Sequence, residues 1–161
     1  MKREQLSLKS AEAKDCQLLW KLKNEKGVRK NSFDSRFVPY EEHKRWFEQK
    51  LKSPNTNILI LLDSFDKEIG QIRFDKNQGI SEISFSVEKE KRGYGYGTQG
   101  LKLACEYVFC NFNTKMIVAH VKIDNKISKK VFEKIGFKNN GKMIFKKQSC
   151  YEFSLKDGLN V

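Results

Sequence analysis

The residues best suited to chemistry stand in one short stretch, Arg92-Gly93-Tyr94-Gly95-Tyr96-Gly97-Thr98. Glycine tolerates the left-handed and close-approach conformations that turn successive backbone N–H groups toward one point, and a side chain there would block a diphosphate. A strand pattern ends just before this stretch, at Val87, and a helical pattern begins at Gly95, so the free amides lie at the positive end of a helix. The chemistry implied is the holding of a phosphate or diphosphate. The same residues also spell a dinucleotide fingerprint, Gly95-Tyr-Gly97-Thr-Gln-Gly100, with Asp124 beyond the next strand pattern as a ribose-binding acid. Context weighs against that second reading: a charged loop, Glu88-Lys-Glu-Lys, precedes the glycines, where a dinucleotide fold needs a tight turn inside a repeated β-α-β unit.

The elements that must position this stretch follow from hydrophobic period and turn residues. Gln5 to Lys9 alternates as a strand, and Leu18, Leu19 and Leu22 share a helix face that Asn24-Glu-Lys-Gly27 ends. A loop from Val28 to Pro39 leads to an amphipathic helix from Tyr40 to about Leu51, stopped by Pro54-Asn55. Strands follow at Asn57 to Leu62, Glu68 to Phe74 and Ile80 to Val87, and their short connections make an antiparallel meander. A helix from Gly95 to about Cys110, a buried strand from Met116 to Val121 and a helix from Asn125 to Ile135, closed by Gly136, come next. Phe137 to Phe145 and Cys150 to Leu155 are the last strands. The order β-α-α-β-β-β-α-β-α-β-β predicts an α/β (α+β) chain: a mixed, mostly antiparallel sheet of about seven strands flanked by four helices, as one domain over 1–161.

With the elements in place, the chain resembles the GNAT superfamily of acyl-CoA N-acyltransferases, whose phosphate motif is R/Q-x-x-G-x-G/A. Arg92-Gly-Tyr-Gly95-Tyr-Gly97 carries that motif, and Asn125-Lys-Ile-Ser128-Lys-Lys-Val-Phe132-Glu-Lys-Ile-Gly136-Phe137 carries the helix that follows. The resemblance spans nearly the whole chain and implies the GNAT fold and an acetyl-CoA site. In that site the backbone from Arg92 to Thr98 holds the diphosphate, the strand ending at Val87 pairs with the pantetheine arm, Asn125 meets the arm from the other side, and Lys126, Lys129 or Lys130 meets the ribose phosphate. No metal is expected.

Acetylation of an amine needs a base for the amine and a proton donor for the departing thiolate. Glu82 is the candidate base, working through water, because Glu82, Ser84 and Ser86 alternate with the apolar Ile83, Phe85 and Val87; an ordinary solvent-facing Glu is the bland reading. Many GNAT enzymes place a tyrosine acid where this chain has Phe132, which has no proton to give. Ser128, sharing a helix face with Asn125 and Phe132, and Tyr151, on the last strand, are the two candidate donors.

Trp20-Lys-Leu-Lys-Asn24, Val28-Arg29, Ser32 and Tyr40-Glu-Glu-His43-Lys-Arg-Trp46-Phe47 are similar to the nucleotide-sugar N-acetyltransferases of the pseudaminic-acid pathway and, less closely, to ribosomal-protein N-terminal acetyltransferases. That likeness implies an acceptor pocket walled by Arg29, Asn31, Ser32, Arg36 and His43. The formal charge of +12 is mostly lysine interleaved with glutamate along the whole chain, the pattern of solvated faces rather than of a nucleic-acid patch. It draws in phosphorylated ligands and repels a basic peptide, which ranks a small nucleotide-linked amino-sugar ahead of a protein N-terminus as acceptor. A non-catalytic acyl-CoA-binding module is the third reading.

No apolar run reaches the ~20 residues that span a bilayer, and Met1-Lys-Arg-Glu-Gln lacks the core of a secretion signal, so a cytoplasmic monomer or homodimer is expected. Cys16, Cys105, Cys110 and Cys150 are scattered and read as reduced core thiols, and with only two histidines a His-rich metal site is not expected.

Overall fold

A computed structural model describes residues 4–158. Met1–Arg3, which the reading of the N-terminus included, lie outside the described residues. The seven strands are β1 (Ser7–Ser10), β2 (Thr56–Leu62), β3 (Glu68–Asn77), β4 (Ile80–Val87), β5 (Met116–Lys122), β6 (Lys138–Phe145) and β7 (Gln148–Lys156). They form one sheet in the order β1-β2-β3-β4-β5-β7-β6, in which only the β4–β5 pair is parallel. Among the described residues the five α-helices are α1 (Cys16–Asn24), α2 (Lys26–Asn31), α3 (Tyr40–Lys52), α4 (Tyr96–Asn111) and α5 (Lys126–Lys134).

The expected order is therefore present, with one helix added. Gly27 reads as a helix stop, but the Glu25 carboxylate accepts from Gly27 N–H and Val28 N–H and starts a new helix, α2, inside the segment expected to be loop. The chain turns at Glu25 itself, with φ −60° and ψ 136°, so α1 and α2 are separate elements.

Strand alternation divides the side chains between two faces. Leu59, Ile72, Ile83, Ile117, Ala119, Val121, Phe153 and Leu155 point to one face, where they pack with Leu101, Ala104, Cys105 and Val108 of α4 and with Phe132 at the end of α5. On the other face, α1 and α3 close a smaller core of Cys16, Leu19, Leu22, Phe47 and Ile58 over the β2–β3 side. Beyond Asp75 and Arg73, that second face carries polar side chains from β4, β5 and β7. Cys16, Cys105 and Cys150 are buried free thiols as expected, but Cys110 is exposed, because it falls on the outer side of α4.

Gly70 packs β3 directly onto the end of β4: a Cβ there would lie 2.6 Å from the Ser86 carbonyl oxygen and 3.3 Å from Val87 Cα. Both neighbours are backbone, so neither can swing aside. Gly70→Ala is expected to lower stability by about 1–3 kcal/mol in urea unfolding, with the loss appearing as a shifted midpoint at constant slope.

Candidate functional site

β4 and β5 run together for only three residue pairs, Ile80↔Met116, Ser81↔Ile117 and Glu82↔Val118. Past Glu82, β4 stays on β3 as far as Val87↔Gly70, while β5 stays on β7 as far as Lys122↔Cys150. The two strands thus part into a wedge whose apex is held by a buried hydrogen bond between the Ser81 and Thr114 hydroxyls, 2.7 Å long. Glu88 N–H donates to Ile69 O on β3 at 2.8 Å, so the planar trans peptide turns the Val87 carbonyl the opposite way, into the wedge. Alternation gives Phe85 the same orientation, so main-chain groups of β4 line one arm of the wedge.

At the open end of that arm, Gly93 and Gly95 take φ of 85° and 84°, left-handed values that an L side chain rarely adopts. They turn the chain into α4, whose Gly95 terminus has no side-chain cap. The first helical bond is Gln99 N–H to Gly95 O at 3.1 Å, so the amides of residues 96–98 project from the helix end. Gly97 sits over β4, with its Cβ direction 3.5 Å from Phe85 and 3.8 Å from Val87. An extended amide-bearing arm and a diphosphate fit these residues: strand edge for the one, helix amides for the other. Tyr94 is exposed beside this end, and Tyr96 turns its hydroxyl to Glu4.

The Arg92 side chain does not point out of the loop. Its Nε donates to Val87 O at 3.0 Å and its Nη2 to Glu25 Oε2 at 2.6 Å. The α2 amides of Gly27 and Val28, with Arg92 beside them, hold the Glu25 carboxyl down at about 2.

On the opposite arm, Asn125 caps α5: its Oδ1 accepts from Ser128 N–H at 3.2 Å and its Nδ2 donates to Ser128 Oγ at 3.0 Å. The Ser128 hydroxyl accepts that bond and keeps its own proton to give. Phe132 is buried among Phe85, Phe137 and Phe153, an apolar setting with no substitute donor. Tyr151 is half-buried on the α4–α5 face under Lys129, whose Nζ lies 4.6 Å from its ring. Lys126 and Lys130 are exposed on α5.

Glu82 stands on the opposite, polar face, at the apex, and beside it is a residue that the sequence reading passed over. His120 is two residues past the last β4–β5 pair on the same face, with Nδ1 3.9 Å from Glu82 and Nε2 3.6 Å from Glu152 of β7. Its ring stacks on Phe145 at 3.9 Å and 6°. Nδ1 is buried without a hydrogen-bond partner. The nearby imidazole holds the Glu82 carboxyl below its usual range, against the opposing effect of burial. Lys146 and Arg73 add positive charge to the same neighbourhood. A histidine on a strand in register with a carboxylate strand was a possible signal, but the partnership depends on which strands are neighbours.

The expected acceptor residues divide. Arg29 Nε donates to Ser35 O, Ser32 Oγ to Val28 O, and Arg36 forks onto Glu42 and Asp34, so three of them shape the loop after α2. Asn31 ends α2 and is exposed. His43 is not on the site at all: it is 4% exposed, stacked 6.0 Å from Phe47 in the α1–α3 core. The loop reaches the site instead through Phe33, whose ring meets Phe145 edge-on at 5.0 Å and whose carbonyl accepts from Gln148 Nε2 at 2.6 Å.

Comparison with known proteins agrees with this architecture. Residues 5–138 match the family model described as acetyltransferase (GNAT) domain. The chain is 20% identical over 143 residues to spermidine N(1)-acetyltransferase of Vibrio cholerae serotype O1, covering 87% of this chain and 83% of that protein. The fold is that of the Vibrio cholerae spermidine N-acetyltransferase in complex with CoA and spermine, with a TM-score of 0.86 at 19% identity over 94% of this chain and 95% of that one. It is also that of AAC(6')-Ib in complex with ribostamycin and coenzyme A, with a TM-score of 0.84 at 14% identity over 94% and 93% of the two chains. These relatives are named for a polyamine and an aminoglycoside, not for the nucleotide-sugars or ribosomal proteins of the narrower likeness. Among the described residues no helix is long and apolar enough to cross a membrane.

His43, which burial removes from the acceptor set, carries a pH effect of definite sign. Burial lowers its proton affinity below the ordinary 6.5, so the unfolded chain binds a proton where the folded one does not. Its contribution to stability is complete above that value and is lost as pH falls below it, at up to about 1.4 kcal/mol per pH unit. Melting temperature measured from pH 7 to pH 5 is expected to fall less steeply in His43→Phe than in the wild type.

Proposed function

The chain belongs to the GNAT acetyltransferase family and is an acetyl-CoA-dependent N-acetyltransferase, and we propose that its acceptor is a small primary amine that also carries an anionic group, as a nucleotide-linked amino-sugar does. The observation that carries the reading is the composition of the polar sheet face: Glu82, His120 and Glu152 in one row, with Arg73 and Lys146 around it. The carboxylates suit an ammonium group and the cations suit a phosphate or carboxylate of the same molecule.

Acetyl-CoA brings a thioester whose carbonyl accepts the amine and whose sulfur leaves as a thiolate. His120 is proposed as the group that takes the amine proton, since an imidazole is the side chain that ordinarily titrates nearest neutral pH. Glu82 is ionised in this setting, and its part is to favour the proton on the facing Nδ1, which leaves the Nε2 lone pair to take the amine proton, while Glu152 beside Nε2 holds the ammonium. The Phe85 main-chain groups and the Val87 N–H orient the amide arm, the Val87 carbonyl being taken by Arg92 Nε, and the amides of residues 96–98 hold the diphosphate. The thiolate takes its proton through the Ser128 hydroxyl, which is reprotonated from solvent as His120 gives up the amine proton to solvent, with Tyr151 as the second candidate.

A polyamine acceptor is the second reading, favoured by the likeness to the spermidine acetyltransferase and by the two carboxylates beside His120. A net charge of +12 weighs against it, because the acceptor itself would be strongly cationic.

Release of CoA from acetyl-CoA, followed with nucleotide amino-sugars, aminoglycosides, spermidine and N-terminal peptides, separates these acceptors. Turnover confined to spermidine overturns the anion-bearing acceptor. With the preferred acceptor, His120→Gln is expected to lower kcat about 100-fold or more, with acetyl-CoA affinity unchanged. Ser128→Ala is expected to lower kcat about 10-fold or more at unchanged acetyl-CoA affinity. Full activity there, with loss in Tyr151→Phe, reassigns the donor to Tyr151.

A further inference from the structure

α2 lies across the open wedge and is tied at both ends. At its start, Glu25 caps the helix and accepts from Arg92 Nη2 at 2.6 Å, while Arg92 Nε donates at 3.0 Å to Val87 O, the last carbonyl of the β4 arm. At its other end, Lys122 Nζ, on the last residue of the β5 arm, donates to Lys30 O at 3.2 Å. The helix therefore bridges the two strand tips that the wedge separates, and the loop beyond it runs to Phe33 above Phe145 and His120.

The first tie is the tighter one. The Glu25 carboxylate serves three donors at once: Gly27 N–H at 3.0 Å, Val28 N–H at 3.1 Å and Arg92 Nη2. Arg92 is pressed so closely against α2 that a Cβ on Gly27 would lie 2.9 Å from Arg92 Nη1. Because Arg92 is the first residue of the glycine loop, fixing its side chain fixes where Gly93 and Gly95 begin their left-handed turns.

We propose that Glu25 is a positioning residue for acyl-CoA: by holding Arg92 across the end of β4, it sets the conformation of the loop before α4 and fastens α2 over the wedge. The acyl-CoA cradle and the wall of the acceptor pocket are then joined through one ion pair. In this arrangement the Arg92 guanidinium works as a tie between elements, and the main-chain amides do the anion binding. The inference rests on the acyl-CoA reading of the wedge.

Calorimetric titration of the full chain with acetyl-CoA, without any acceptor, tests it. Glu25→Gln, which loses the charge, and Gly27→Ala, which pushes Arg92 aside without altering any charge, are each expected to weaken acetyl-CoA binding about fivefold. The ligand-free melting temperature is expected to stay within about 3 °C of the wild type in at least one of them. Arg92→Lys, which keeps the charge and loses the fork, is expected to weaken binding alone and to add nothing in the Glu25→Gln background. Wild-type affinity in both single variants overturns the proposal, as do additive losses in the double variant. A lower melting temperature with intact affinity also overturns it, since Glu25 would then serve stability alone. Because the titration contains no acceptor, an error in the acceptor assignment leaves its outcome unchanged.

Discussion

The site depends on the separation of β4 from β5. Two parallel strands that share three residue pairs and then diverge expose main-chain N–H and C=O groups that a continuous sheet would have paired. The fold tolerates this because each arm keeps its other neighbour, β3 for β4 and β7 for β5, and because the apex is closed by the buried Ser81–Thr114 pair. Local elements serve the exposed groups: Arg92 Nε takes the Val87 carbonyl, and the glycine loop brings the uncapped start of α4 to the same strand end. A gap in the sheet and a helix terminus thus offer hydrogen bonds and positive potential along one line, the shape of an extended ligand ending in phosphate.

The two faces of the sheet divide the work. One buries the aromatic and aliphatic residues that hold α4 and α5, including Phe132, and carries the two proposed proton donors, Ser128 and Tyr151. The other has its apolar core where α1 and α3 cover β2 and β3, and toward β5 and β7 it carries Glu82, His120 and Glu152. The wedge connects the faces, so in the proposed reaction an acyl group held within it is approached by an amine from one side and by a proton donor from the other. The large positive charge of the chain is thus less informative than its local arrangement, in which acidic and basic side chains meet at His120.

Much of this was legible in the residues alone because the signals are local. The glycines at 93, 95 and 97, the strand before them and the helix start at Asn125 each lie within a few residues of what they shape, and the structure bears out their placement. The same locality explains the misjudged helix: Gly27 is a common helix stop, but a carboxylate two residues earlier supplies the missing acceptor and restarts the chain as α2. The hairpin turn Lys146-Lys147 has positive φ at both positions without the Asn or Gly that ordinarily announces it.

The sequence by itself determined the order of elements apart from α2, the glycine loop before α4 and the family, since hydrophobic period, turn residues and glycine spacing act over short stretches of chain. Only the tertiary structure decided which side chains meet. Glu82, His120 and Glu152 come from three strands and form a row because β5 lies between β4 and β7, and Glu25 finds Arg92 across 67 residues because α2 spans the wedge. His43 lies on the same helix as Glu42, at the edge of the loop, yet is lost to the site because its face of α3 packs against α1. Such pairings depend on strand order and helix rotation, which come from the packing of the whole chain and leave no mark in any short segment of it.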